Sequence, residues 1–136
     1  MKFLKALVFL AILSLIIISS KGNAEAPIIP VVVITPPTIE ELISFYAIKY
    51  GIDEVDFLAV AKCESRLEKN AIHFDDGGKG KHSVGLFQFQ ESTFLAWEKK
   101  IGEDLNYYSY HDQIKLASYM FSKGQQNQWS CYRLIK

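Results

Sequence analysis

The chain has little of what several common functions require. Its 15 Lys/Arg are matched by 15 Asp/Glu over 136 residues, so no basic excess exists to neutralise a phosphate backbone and nucleic acid is not an expected partner. It holds two cysteines and three histidines, with no Cys/His set at metal-ligand spacing, and neither a metal nor a cofactor is expected. The Gly-rich stretch GGKG at 77–80 lacks the preceding strand and the following Lys-Ser/Thr pair of a phosphate-binding loop. No internal repeat is present. The apolar run from Ala6 to Ile18, interrupted only by Ser14, falls short of the ~20 residues that a membrane span needs.

That run fits an export signal instead. Lys2 and Lys5 precede it and SSKGNAEA follows, the charged, apolar and small-residue order of such segments. Ala24 and Ala26 form an A-x-A site, but Pro27 directly after it is a poor residue to cleave before. Cutting after Ala24 and retention of residues 1–26 as a membrane anchor both stay open. Either way the protein is expected to be exported: secreted, periplasmic or associated with the cell wall. Pro27, Pro30, Pro36 and Pro37 crowd PIIPVVVITPP, residues 27–37, which has no usable periodicity and reads as an extended tether. The alternative, favoured by its valines, is an edge strand. One small domain, expected to be a monomer, should then occupy residues 38–136. Without residues 1–26 the chain keeps 12 basic and 14 acidic side chains, a net charge of −2.

Within the domain, Thr38 and Glu41 form a capping box, followed by Ile39, Leu42, Ile43, Tyr46 and Tyr50 at helical spacing and by Gly51 as a stop. Asp53 caps a second helix running through Val55, Phe57, Leu58, Val60 and Ala61 to about Arg66. Being apolar on almost every side, that helix should be the central one. AIHFDDGGKGKHSVGLFQF, between Asn70 and Gln90, offers a Gly-rich turn between short segments able to pair as a small irregular hairpin. A third helix is predicted from about Glu91–Thr93 to Ile101, a fourth from Ser109 to Gly124, and a short last one over 126–135.

The second helix carries a carboxylate where burial is expected. Phe57, Val60, Ala61 and Glu64 share one face by their i, i+3, i+4, i+7 spacing. Partial desolvation and the negative end of the helix dipole both disfavour the ionised form there. A glutamic acid that keeps its proton near neutral pH can donate it to a leaving glycosidic oxygen. The alternative is that Glu64 is the first solvated residue after the helix leaves the core.

AKCES at 61–65 is followed by Asn70-Ala71, by SVGLFQF at 83–89 and by Ser92-Thr93. This order resembles the soluble lytic transglycosylase domain of the lysozyme-like superfamily, marked by Glu-Ser, Asn-Ala, Gly-Leu-Met-Gln and Ser/Thr-Thr; KYGID at 49–53 fits the lead-in. The resemblance covers roughly residues 45–125. It implies a mainly α, lysozyme-like α+β fold: a small helical domain around a central buried helix with one short irregular β-hairpin. It implies peptidoglycan glycan strands as substrate and Glu64 as the single general acid/base, which protonates the bond between N-acetylmuramic acid and N-acetylglucosamine. The same group then accepts a proton as the muramyl 6-hydroxyl closes a 1,6-anhydro ring. By the same resemblance Ser65 holds the glutamate or a sugar hydroxyl, the alternative being a bond to its own helix backbone. Ser83, Gly85, Leu86 and Phe87 line the groove floor, with Gly85 there for backbone geometry, and Gln88 reaches the substrate's acyl amide.

The family's downstream Ala-Tyr-Asn-x-Gly motif is missing, and the chain runs instead into WSCYRLIK. Tyr119 or Tyr132 are the candidates to replace the lost wall, with core packing the alternative for Tyr119. Asp75 and Asp76 stand where a second carboxylate could approach the groove, as in goose-type lysozymes, or are turn formers; a second carboxylate holding a water would favour hydrolysis over cyclisation. Phe89, Phe94, Trp97, Tyr107, Tyr108 and Tyr110 are candidates to stack on sugars or to fill the core. A non-catalytic peptidoglycan-binding module is the reading from another class. A second resemblance, to the resuscitation-promoting factor domain, rests on Cys-Glu-Ser at 63–65 and Trp-x-Cys at 129–131; it implies a Cys63–Cys131 disulfide that staples the final segment to the catalytic helix. Free thiols or intermolecular pairing are the alternatives.

Overall fold

Each early helix starts where a short polar side chain takes up a free backbone N–H. The computed structural model describes residues 35–136; residues 1–26 and the 27–34 part of the expected tether lie outside the described residues. In α1 (Ile39–Tyr50), the Glu41 N–H donates to Thr38 Oγ1 and the Thr38 N–H to Glu41 Oε2, at 3.1 and 2.7 Å. In α2 (Glu54–Ser65), the Asp56 N–H donates to Asp53 Oδ1 at 2.9 Å. Gly51 and Arg66 end these helices in the left-handed region.

A small antiparallel sheet follows, β1 (Ile72–Phe74), β2 (His82–Val84) and β3 (Phe89–Gln90), in the order β1-β2-β3. The first two strands are the expected hairpin. The third pairs Ser83 with Gln90 and Val84 with Phe89. It exists because Gly85 and Gln88 both adopt positive φ, which turns the chain back on itself within residues 85–88. Gln88 gave no sign of this, since left-handed backbone is uncommon for a residue with a Cβ. Three further helices complete the domain: α3 (Glu91–Ile101), α4 (Tyr110–Ser122), opened by Ser109, and α5 (Ser130–Ile135), which follows a 3-10 turn at Gln126–Gln128. The fold is thus mainly helical, with five α-helices and one small sheet among the described residues. No helix among the described residues is long and apolar enough to cross a membrane.

The central buried helix is α4 rather than α2. It buries Gln113, Ile114, Leu116, Ala117, Ser118, Met120 and Phe121, whereas α2 buries Phe57, Val60, Ala61 and Ser65 and leaves Val55 76% exposed. Apolar composition did not decide this; neighbours did. α4 packs against α1 and α3 and carries Gln113 into the 84–87 turn, while α2 has α1 and α5 beside it. The core between them is aromatic: Phe57 stacks on Phe87 at 4.7 Å and meets Phe121 at 4.9 Å, and Trp129 closes on Phe87, Phe89 and Phe121.

Candidate active site

Glu64 projects near the end of α2 from the face whose other members, Phe57, Val60 and Ala61, are fully buried. The carboxyl itself is half-buried. Burial pushes its pKa above the ordinary carboxylate value, and the Asp76 carboxylate pushes the same way. The Cys131 N–H, 3.4 Å from Glu64 Oε1, and the His73 imidazole act in the opposite sense, and the net direction is upward. A cleft of about 330 Å³ opens on Glu64, ample room for part of a sugar chain.

The sheet forms one side of this cleft, and strand register determines which side chains face it. Ser83 pairs with His73 on one side and Gln90 on the other, so the three share a face. Ser83 and Gln90 line the cleft together with Asp76. The Ser83 hydroxyl donates to Asp76 Oδ2, and Gln90 Nε2 donates to the Asp76 carbonyl at 3.0 Å. The two adjacent aspartates therefore part ways. Asp75, at φ +58°, accepts the Gly80 N–H at 2.7 Å and shapes the turn, while Asp76 faces Glu64 across the cleft.

Among the remaining residues singled out in the sequence, Gln88 also lines the cleft. Its Nε2 donates to the carbonyls of Gly85 and Ala71, at 2.7 and 3.3 Å, and its buried Oε1 has no protein partner. Ser65, Gly85, Leu86, Phe87 and Tyr119 lie outside the cleft lining. Ser65 is buried and its hydroxyl donates to the Ala61 carbonyl at 3.1 Å, the backbone alternative. Leu86 and Phe87 are wholly buried core residues behind the cleft, driven inward by the turn that carries Gln88 to the cleft lining. Gly85 is structural: at φ +77°, a Cβ there would lie 2.3 Å from Gln113 Nε2. Tyr119 does not line the cleft; its ring lies against Tyr50 and Trp97 and its hydroxyl donates to the Lys100 carbonyl at 3.4 Å.

Two features escaped the sequence reading. The fully buried Gln113 donates from Nε2 to the carbonyls of Val84 and Tyr107, at 3.1 and 2.8 Å, and its Oε1 accepts the Phe87 N–H at 3.3 Å. It thereby fixes the turn that presents Ser83 and Gln88. The signal was available: with Leu116, Ala117 and Met120 at i+3, i+4 and i+7, Gln113 is a polar residue inside an apolar stripe. Gln113→Leu should lower unfolding free energy in denaturant titrations by about 3 kcal/mol, since it strands three buried backbone groups. The second feature is the wall facing Glu64. Neither Tyr119 nor Tyr132 supplies it; Tyr132 packs against Phe121. Gln128, Trp129, Ser130 and Arg133 do. The indole of Trp129 is held by donation from Nε1 to the Phe87 carbonyl at 2.8 Å, and the segment is tied to α2 by the Cys63–Cys131 disulfide, with Cα atoms 5.8 Å apart. Of the candidate stacking aromatics, Phe89 alone reaches the cleft, where Trp129 joins it.

A model of the family described as the transglycosylase SLT domain matches residues 41–129. No curated protein and no solved structure matches the chain.

Proposed function

Because the chain belongs to the transglycosylase SLT domain family, a family that acts on cell-wall peptidoglycan, we propose that it is an exported lytic transglycosylase with Glu64 as its single acid and base. The observation that carries this reading is a carboxyl at the mouth of a sugar-sized cleft, its pKa raised by burial. In its neutral form Glu64 donates its proton to the oxygen between N-acetylmuramic acid and N-acetylglucosamine as that bond breaks. The resulting carboxylate then takes the proton of the muramyl 6-hydroxyl while its oxygen attacks C1, which closes a 1,6-anhydro ring. No water is consumed. By the family resemblance Gln88, which lines the cleft, is the residue for an acetamido group of the bound strand. Phe89 and Trp129 back the cleft as part of the aromatic core. Residues 1–26 direct export and leave the domain either free or tethered through 27–37.

Asp76 favours one second reading, hydrolysis, since a carboxylate in the same cleft is what a water-holding base requires. Mass spectrometry of the products separates the two, because an anhydro-muramyl end is one water lighter than a reducing end. Anhydro ends are expected, and exclusively reducing ends would overturn the proposal in favour of hydrolysis. Asp76→Asn adds a pH test. It removes a negative charge that raises the Glu64 pKa, so the alkaline limb of the kcat/KM profile should move to lower pH with anhydro products retained.

A further inference from the structure

The cleft contains a charge that proton transfer does not use. Its charged lining residues are Glu64, Asp76 and Arg133, so Arg133 is the only cation among the described residues that line it. It forms no ion pair among the described residues. Its Nη1 donates to the Asn127 carbonyl at 2.8 Å, which holds the guanidinium in place and leaves its other N–H groups free. The segment that carries it is anchored on three sides: by the disulfide to α2, by the Trp129 indole on the Phe87 carbonyl, and by the Cys131 N–H on Glu64. Arg133 also lies beyond the stretch of chain, residues 41–129, that the family model matches.

Resting on the reading of the cleft as a peptidoglycan site, we infer that Arg133 is a specificity-determining residue that pairs with a carboxylate on the branch carried by the muramyl sugar. The backbone sugars of the strand are uncharged, so a cation in the groove has nothing to read on them. The muramyl branch is different: it carries the lactyl carboxylate when bare and stem-peptide carboxylates when substituted. The Asp76 carboxylate in the cleft would repel such a branch, and a planar guanidinium with free donors is the complementary group.

Binding measured on the full chain carrying Glu64→Gln tests this without requiring turnover. Three probes are used: soluble strands with intact stem peptides, strands stripped by an amidase to free the lactyl carboxylate, and intact strands with carboxylates converted to amides. Adding Arg133→Gln should weaken binding of carboxylate-bearing strands about two- to fivefold, the range for one solvent-exposed ion pair. Amidated strands should bind both proteins equally, and Arg133→Lys should recover part of the loss. A loss confined to intact strands assigns a stem-peptide carboxylate, and a loss on stripped strands assigns the lactyl group. Equal affinity of the two proteins for all probes, an equal loss on amidated strands, or no binding to any probe overturns the inference. A wild-type protein that binds strands but never cuts them would refute the enzymatic reading alone, with the affinities still deciding Arg133.

Discussion

Glu64→Gln should abolish release of soluble fragments from peptidoglycan while the protein still binds it. The amide keeps the shape of the side chain and its acceptor oxygen for the Cys131 N–H, but it has no proton to give to a leaving oxygen. A positioned general acid contributes about 10²–10⁴-fold to rate, and here the same group also serves as base, so the upper end is expected. Wild-type release by the variant would remove Glu64 as catalyst; wild-type binding without any release would turn the reading toward a binding module. Stability carries an independent sign. The folded-state pKa of Glu64 is raised, so the folded protein holds the proton more tightly than the unfolded chain. Ionisation therefore costs stability, progressively, as pH rises from the ordinary carboxylate range through the raised value. Glu64→Gln avoids that cost, and thermal unfolding should show the variant more stable than wild type at neutral pH, with the difference vanishing in acid. Equal pH dependence in both proteins would contradict the desolvated carboxyl.

Replacing both Cys63 and Cys131 by Ser should give the largest loss of stability of any change proposed here. The disulfide joins residues 68 apart in sequence, and releasing a loop of that size restores about 4 kcal/mol of chain entropy to the unfolded state. For a domain near 100 residues this corresponds to a fall in Tm of roughly 15–30 °C. Adding reductant to the wild type should produce the same fall, and a Tm insensitive to both treatments would show that the bond carries no stability. A functional consequence follows from position. α5 is short, and the bond holds it against α2 next to Glu64; without it, the wall formed by Gln128, Trp129, Ser130 and Arg133 loses its anchor to the catalytic helix. KM for strands should rise along with the loss of stability.

The helices were legible because their signals are local. A capping box at Thr38 and Glu41, Asp53 before α2, Ser109 before α4 and Gly after α1 and α3 each act within a few residues, and the structure uses every one of them. Glu64 was legible for the same reason, since its place on an apolar helical face depends only on helical pitch. Cys63 and Cys131 were paired by likeness to a known arrangement, not by anything local. What stayed hidden required knowing which elements meet. Tyr119 looked available and instead packs beside Tyr50 and Trp97, because α4 is enclosed by its neighbours. Leu86 and Phe87 looked like groove floor and went into the core, because two left-handed residues reverse the chain around them.

By itself, then, the sequence determined the helices, their ends and the acid at the close of the second one, since capping and helical periodicity are interactions between residues a turn apart. Only the tertiary structure decided that α4 is the buried centre, that Gln113 braces the turn, that Asp76 and not Asp75 faces Glu64, and that Trp129 and Arg133 build the opposite wall. Those outcomes depend on burial and on contacts between segments far apart in the chain, which no short window of residues contains.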